Sequence, residues 1–386
     1  MKYVIVGNGV AGLNAALSIR KKDLEGEITL VSESNHLHYY RPKLIDYLSG
    51  EISKEKIIIY KDDFYKEKMI NNILGTKIES FSLEEKFLLT DKKEKIFYDK
   101  LLLALGSSSF VPPINGVQNK GVFTLRGFQD ADQILSFCQD VEKVAIIGGG
   151  LLGIETGQSL NKIGKKVTII EFAEYLLPRQ LDEKGGKNLQ KKLEGKGLNF
   201  LTGEKVEQIK SNKEGKVEAV CLASGKEVIA GAVIISAGVR PNVALATQGG
   251  LKVEKGIEVN DFLETSAKDI FAAGDVVQFK GNLYGLWSSA QEQGKLAGLN
   301  MTGSQEKYLP SPPSTVLKVT GIDLYSSGEI NNQEAEEFIL EEKDSYAKIL
   351  VKNDKPLGAI VLGSKEKISL AQKVMRGDSS FKDFIK

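Results

Sequence analysis

Two short runs in this chain have the spacing needed to grip a pyrophosphate. They are Gly7-Asn8-Gly9-Val10-Ala11-Gly12 and Gly148-Gly149-Gly150-Leu151-Leu152-Gly153. In G-x-G-x-x-G the first glycine permits a tight strand-to-helix turn. The second removes the Cβ that would hold a pyrophosphate away, and the third lets helix and strand pack closely. The phosphates then rest on unpaired N–H groups at the positive end of the helix, here those of Val10, Ala11, Leu151 and Leu152. Each run is answered by an acid placed to accept hydrogen bonds from ribose hydroxyls. Glu33, followed by Ser34, lies 21 residues after Gly12, and Glu171 lies 18 after Gly153. Both are close to the expected spacing of about 20. One such run is weak evidence. Turn, flanking strand, helix and distant acid recurring together point to two dinucleotide sites.

Other residues have chemistry to offer beside these turns. Arg41 and Lys43 follow the first nucleotide unit, with Pro42 fixing the chain between them. They read as facing a cofactor phosphate or a reduced flavin ring, or as a solvated basic loop. Glu155 lies two residues past Gly153. It reads either as a carboxylate stabilising the first turn of a helix or as a contact to a ring held between two domains. Asp275 ends the run Ile270-Phe271-Ala272-Ala273-Gly274-Asp275, at a strand C-terminus where open α/β sheets bind ligands. Cys138 and Cys221 are not in C-x-x-C and read as core residues rather than a redox pair. A redox reaction here would therefore run on a bound cofactor. His36 and His38 have no third ligand in view, so no metal is expected.

The elements that must position these residues are short buried strands. Tyr3–Val6 leads into the first turn and Val144–Ile147 into the second; Ile28–Val31 and Val167–Ile170 lead to the acids. Leu101–Leu105 ends at Gly106, and 231–239 repeats that pattern, ending at Gly238-Val239. Further strands are predicted at Ile57–Ile59, Phe87–Leu89, Ile96–Tyr98, Lys205–Ile209, Val217–Leu222 and Glu227–Ile229, with helices over 130–140, 179–197 and 288–300. Trp287 precedes the last of these. Its small face (Ala290, Gly294, Ala297, Gly298) implies close approach to something flat or to another backbone. Pro310, Pro312 and Pro313 mark a linker. Strands near 316–319, 323–326, 346–351 and 358–362 and a helix over 367–375 then make a small domain with no nucleotide motif. The fold class is α/β: two Rossmann-like dinucleotide-binding domains, the second inserted into the first, plus a small C-terminal α+β domain. The boundaries are 1–111 with 240–308, then 112–239, then 309–386.

Composition agrees. A chain of 386 residues with 41% hydrophobic and 27% charged residues can build two or three ordinary cores. A net charge of +1 offers no global field for nucleic acid or an anionic membrane. The apolar runs are far short of the roughly 20 residues needed to span a bilayer. The first strand begins at Tyr3, leaving no room for a signal peptide, so a cytoplasmic protein is expected.

Taken in order, Gly7–Gly12, Glu33, Arg41-Pro42, Leu103–Gly106, Gly148–Gly153 with Glu155, Glu171, Ala237–Asn242 and Ala273-Gly274-Asp275 resemble one known group over essentially the whole chain. It is the pyridine nucleotide–disulfide oxidoreductase superfamily. Within it, Tyr40-Arg41-Pro42, Leu177–Asp182 and Leu317–Ile322 look most like NADH:rubredoxin oxidoreductases, and the flavoprotein part of assimilatory nitrite reductases is similar. The resemblance implies FAD on the first unit, its pyrophosphate on Gly7, Gly9 and Gly12 and its adenosine ribose on Glu33. Asp275 would take the ribityl chain and Trp287 would sit by the ring. Lys43 and Glu155 would lie near the flavin edge as the catalytic side chains, and Ala104, Gly106 and Gly238 would line the cofactors. NADH would occupy Gly148, Gly150, Gly153 and Glu171, with Glu171 and Glu174 disfavouring a 2′-phosphate. The chain departs from related ferredoxin reductases, which carry Ser-Lys where it has Ile45 and Asp46. A lysine–glutamate contact is therefore not carried over, and Lys43 stands as a substitute. The usual Ala-Thr-Gly is Ala104-Leu105-Gly106, which keeps the turn and loses a hydroxyl. The implied activity is NADH oxidation through FAD to a small, rubredoxin-like acceptor protein, by a monomer or weak dimer. An NADH oxidase using oxygen and a flavin-binding redox sensor are the alternatives. Disulfide or peroxide reduction is disfavoured, because no cysteine follows Glu33 in the active region.

Overall fold

The structure, a computed structural model, describes residues 1–310 and 314–384; Pro312 and Pro313 of the expected linker lie outside the described residues. It divides into two compact units. The first holds 1–43, 53–108 and 239–310, and the second holds 44–52, 109–238 and the chain after 310.

The first unit is built on five parallel strands in the order Ile270–Ala272, Lys100–Leu103, Lys2–Val6, Glu27–Val31, Ile70–Ile73. Lys2–Val6, Lys100–Leu103 and Ile270–Ala272 are apolar and buried almost throughout, as strands of a parallel sheet covered on both faces are. One cover is the helix Val10–Lys22, whose small residues Ala11, Ala15 and Ala16 are buried. Against it lies the helix Trp287–Met301, which also reaches the end of Ile270–Ala272 through Gln293. A Cβ on Gly294 would stand 2.2 Å from the Ala11 carbonyl oxygen, and one on Gly298 would stand 2.4 Å from that of Ala15. The small face read from sequence thus meets another backbone. The charged turn at 91–94 closes the expected hairpin between Phe87–Thr90 and Lys95–Phe97.

The second unit repeats the arrangement with the order Val122–Thr124, Ala232–Ile235, Lys143–Ile147, Lys166–Glu171, Asn199–Thr202, again all parallel. In both sheets the strand feeding the glycine turn is central and the strand leading to the acid is beside it. An antiparallel meander follows (Val206–Ser211, Val217–Leu222, Glu227–Ile229). The chain ends in a five-stranded antiparallel sheet with the helix Lys365–Arg376 on it. That sheet is tied to the helix Glu183–Glu194 through Asp182. This carboxylate caps the helix on the Gly185 N–H (2.9 Å), accepts from the Tyr346 hydroxyl (2.6 Å) and pairs with buried Lys348 (3.1 Å). Glu337 holds the same ammonium at 2.7 Å.

Two expectations are corrected, and two strands go unread in the sequence. Ile57–Ile59 is not a strand: a helical turn ends at Ile57, and Ile58 makes only an isolated bridge to Tyr39. The fifth strand of the first sheet is Ile70–Ile73, whose two central asparagines hide a strand from any propensity reading. The helix expected from Arg179 starts at Glu183, where the Asp182 cap sets its end. The edge strand Glu336–Glu342 was not foreseen, because four of its seven residues are glutamates. Charge on an exposed edge blocks pairing with other chains.

Candidate functional site

At the first turn, Gly7 sits at φ +115°, and a Cβ there would stand 2.2 Å from the Ala104 carbonyl oxygen. At the second turn, Gly148 has the same φ of +115°, and its Cβ would stand 2.3 Å from the Ser236 carbonyl oxygen. The third glycines match as well. A Cβ on Gly12 would meet the Gly7 carbonyl oxygen at 1.9 Å, and one on Gly153 would meet that of Gly148 at 2.0 Å. The middle glycines differ from these. A Cβ on Gly9 or Gly150 would meet nothing within 4 Å. These two positions therefore stay bare for something outside the protein's own packing. Both glycines are also helix N-caps without a side-chain cap, so the first helical N–H groups remain for an anion. The turns fit dinucleotide pyrophosphates by backbone shape.

The acids are set differently. Glu171 is the last residue of its strand and turns back onto the glycine loop, accepting from the Gly149 N–H (2.5 Å) and the Ala173 N–H (2.8 Å). Glu33 lies two residues beyond its strand, exposed, with Lys77 at 3.7 Å. Exposed Ser34 closes the loop after it by accepting from the His36 N–H.

The Asp275 turn lies beside the first glycine turn. A Cβ on Gly274 would stand 3.1 Å from that of Ala11, so this turn lies against the start of the glycine-turn helix. Half-buried Asp275 accepts from the Ser107 hydroxyl at 2.9 Å, and Gln293 fixes the Gly274 N–H at 2.8 Å. Ala104 and Gly106 sit in the same corner, with Asn242 holding the Leu105 and Gly106 carbonyls. Trp287 opens its helix next to Tyr40 (ring centroids 5.0 Å, edge-on) and His38 (5.9 Å). Arg41 and Lys43 lie on one short 3-10 turn, with Arg41 over the Tyr39 ring and Lys43 exposed.

Glu155 is the fifth residue of the helix Leu151–Lys162, not part of its first turn. The helix-start reading of this carboxylate is therefore corrected. It is half-buried, and desolvation, with Asp46 adding repulsion, pushes its carboxyl up to about 7. Asp46 is carried there by the short helix Leu44–Leu48, which packs on the Glu155 helix. Ser159 donates to the Ile45 carbonyl (3.0 Å), and Lys162 pairs with Glu51 (2.6 Å). Gly238, at φ +95°, closes the strand-end turn of the same unit.

Sequence reasoning missed the support under the first turn. Asn8, between its first two glycines, is buried. Its carbonyl meets His38 Nδ1 at 3.2 Å, and its side-chain oxygen accepts from the Tyr65 hydroxyl at 3.3 Å. Burial holds His38 below the usual histidine range, hence neutral. The residue weighed as a metal ligand thus braces the glycine loop. Among the described residues no group of three or more His, Cys, Asp or Glu could hold a metal ion, and no helix is long and apolar enough to cross a membrane. Cys138 is buried as expected, whereas Cys221 is only half-buried.

Comparison with known proteins accords with this geometry. Residues 1–294 match the pyridine nucleotide-disulphide oxidoreductase family, and residues 313–378 match the rubredoxin NAD+ reductase C-terminal domain. The chain is 34% identical to the assimilatory nitrate reductase electron transfer subunit of Bacillus subtilis over 94% of its own length, but spans only about half (47%) of that relative. It is also 34% identical to the NADH-rubredoxin oxidoreductase of Clostridium acetobutylicum, covering 99% of this chain and 96% of that one. The crystal structure of that NADH:rubredoxin oxidoreductase superposes with a TM-score of 0.85 over 98% of this chain and 96% of the other. An NADH oxidase of Methanocaldococcus jannaschii is 35% identical over 85% of this chain and 76% of its own. With its first 294 residues matched and a relative aligned almost end to end, the chain belongs to the pyridine nucleotide-disulphide oxidoreductase family.

Proposed function

We propose that this protein is an FAD-dependent NADH oxidoreductase that passes electrons from NADH through FAD to a small redox protein, rubredoxin in the first instance. The observation that carries the reading is the pair of glycine turns with one backbone geometry, each leaving its middle glycine bare. Bound FAD supplies the conversion of a two-electron donor's hydride into single electrons for the acceptor. The chain's own residues bind and orient. Gly7, Gly9 and Gly12, with the N–H groups of Val10 and Ala11, hold the FAD pyrophosphate. Glu33 and Ser34 take its adenosine ribose and Asp275 its ribityl chain. Ala104, Gly106, Arg41 and Trp287 line the remainder. Gly148, Gly150 and Gly153, with Leu151 and Leu152, hold NADH, Glu171 takes its adenosine ribose, and Gly238 lines that site. Lys43 and Glu155 are assigned to the reacting rings, Lys43 as fixed positive charge and Glu155 as a carboxyl able to hold a proton near neutral pH. Hydride transfer itself needs no acid or base, so positioning supplies most of the rate.

We assign the FAD domain to 1–111 and 240–308, the NADH domain to 112–239 and the C-terminal domain to 309–386. The protein acts in the cytoplasm as a monomer or weak dimer. The test is NADH oxidation by the flavin-loaded protein with rubredoxin, ferredoxin, oxygen and nitrite compared side by side. The expected result is a kcat/KM for rubredoxin at least tenfold above the others, falling as ionic strength rises. An equal or faster rate with oxygen would replace this acceptor with the oxidase reading. Bleaching of the flavin without turnover on any acceptor would favour a redox sensor.

A further inference from the structure

Asp182 makes more contacts than a helix cap needs. One N–H satisfies a cap, here that of Gly185. Yet this carboxylate also accepts from the Tyr346 hydroxyl (2.6 Å) and pairs with Lys348 (3.1 Å), whose side chain is only 5% exposed. A lysine buried between two carboxylates, here Asp182 and Glu337, adds little stability over an apolar contact. Its best-attested use is to fix one arrangement of the parts it joins. The capped helix also carries glycine at 185 and 186, poor helix formers that need a reason. The reason is close approach on two sides. A Cβ on Gly185 would stand 3.3 Å from the Tyr346 ring, and one on Gly186 would stand 2.7 Å from the Leu176 carbonyl oxygen. Leu176 is fully buried and reaches the second glycine turn, where its side chain would meet a Cβ on Gly149 at 2.9 Å. The next residue, Leu177, is held at φ +54° although Pro178 follows it. A leucine side chain and a following proline each disfavour that conformation, so it persists only where the surroundings fix it.

We infer that the C-terminal sheet positions the second glycine turn: Tyr346 and Lys348, through Asp182, hold Leu176 against Gly149. This rests on the proposed use of that turn for NADH. Residues 172–181 join Glu171 to Asp182. Their near end is fixed by Glu171, which accepts from the Gly149 and Ala173 N–H groups, and their far end by the C-terminal sheet. With the far end released, the strain at Leu177 relaxes and Leu176 moves off the turn. Gly149 lies between the first two glycines of the pyrophosphate cradle, so the loss falls on nucleotide binding. Tyr346 and Lys348 act through Leu176 and are positioning residues. A sheet with no nucleotide motif of its own thus has a task in binding the donor.

The test uses flavin-loaded protein, with ADP-ribose affinity measured by titration calorimetry. NADH oxidation is followed with ferricyanide, an inorganic acceptor that needs no docking surface. Lys348→Met leaves the Asp182 carboxylate buried without its cation. It should weaken ADP-ribose binding about tenfold and raise KM for NADH to match, with kcat and the visible flavin spectrum unchanged. Tyr346→Phe removes one hydrogen bond and fills the same space; it should weaken binding about threefold. Asp182→Asn added to Lys348→Met removes the stranded charge, keeps an acceptor for the cap and should recover most of the affinity. A general loss of stability would give neither the split between KM and kcat nor the recovery. Parent-like ADP-ribose affinity in Lys348→Met and Tyr346→Phe would overturn the positioning role and leave the use of the turn intact. Should Lys348→Met not fold, Tyr346→Phe alone decides. Failure of the parent protein to bind ADP-ribose would overturn the second-turn assignment and this inference with it.

Discussion

The two glycine turns have one backbone and two settings. The first is enclosed. Its helix is covered by a second helix at backbone contact through Gly294 and Gly298, the Gly274-Asp275 turn lies against its start, and Asn8 is braced by His38 and Tyr65. The second has a lighter frame. Its loop is held by Glu171, its helix carries the short helix Leu44–Leu48 through packing, the Ser159–Ile45 hydrogen bond and the nearby Lys162–Glu51 ion pair, and exposed Phe172 stands beside it. Enclosure slows exchange and openness permits it. The proposed function reads the difference as that between a group kept through many turnovers and one that must leave after each. On that reading, one turn chemistry would serve a resident cofactor and a diffusing substrate, with the surroundings deciding which.

The most damaging test of this contrast is a side chain on the third glycine of either turn. Gly12→Val would drive its side chain into the Gly7 carbonyl and should leave protein without flavin. Gly153→Val should keep the flavin, measured by its visible spectrum, and lose reduction by NADH at least a hundredfold. Loss of flavin in both variants would erase the distinction between the sites.

A smaller effect is expected at Glu171. Glu171→Gln keeps an acceptor for the Gly149 N–H and removes the charge that repels a 2′-phosphate. Two like charges about 4 Å apart near a protein surface oppose each other by roughly 4 kcal/mol, so even partial relief should raise the NADPH-to-NADH ratio of kcat/KM tenfold or more. A ratio unchanged from the parent would remove Glu171 from the ribose.

The smallest effect concerns Glu155. Its carboxyl is raised from an ordinary 4.5 to about 7, so the folded chain favours the protonated form. Its contribution to stability is full below about pH 4.5 and is lost as pH rises through 7. Glu155→Gln should stabilise the protein by about 1–2 kcal/mol at pH 8, with discount for partial exposure, and much less at pH 5. It should also flatten any change in flavin reduction rate centred near pH 7. A thermal shift equal at both pH values would place the ordinary carboxylate pKa back on Glu155.

What could be read from the chain beforehand was what repeats or is locally punctuated. The two turns, their strands, the acid spacing and the strand-end glycines at 106, 238 and 274 are short-range patterns that backbone geometry demands. What could not be read depends on distant partners. Ile70–Ile73 is a strand because Ile28–Val31 pairs with it, not because Ile-Asn-Asn-Ile favours one. His38 offered no sign that its ring would reach the Asn8 carbonyl thirty residues away. Asp46 was seen as a departure from a lysine, but its effect on Glu155 appears only once one helix lies on the other. Glu336–Glu342 was hidden by the charges that protect it as an edge.

The most direct test of the central claim is an anaerobic titration of the purified protein with NADH, followed at the visible flavin bands. The account predicts one FAD per chain, bleached fully by one equivalent of NADH. A protein that is colourless as isolated and takes up no added FAD would contradict it.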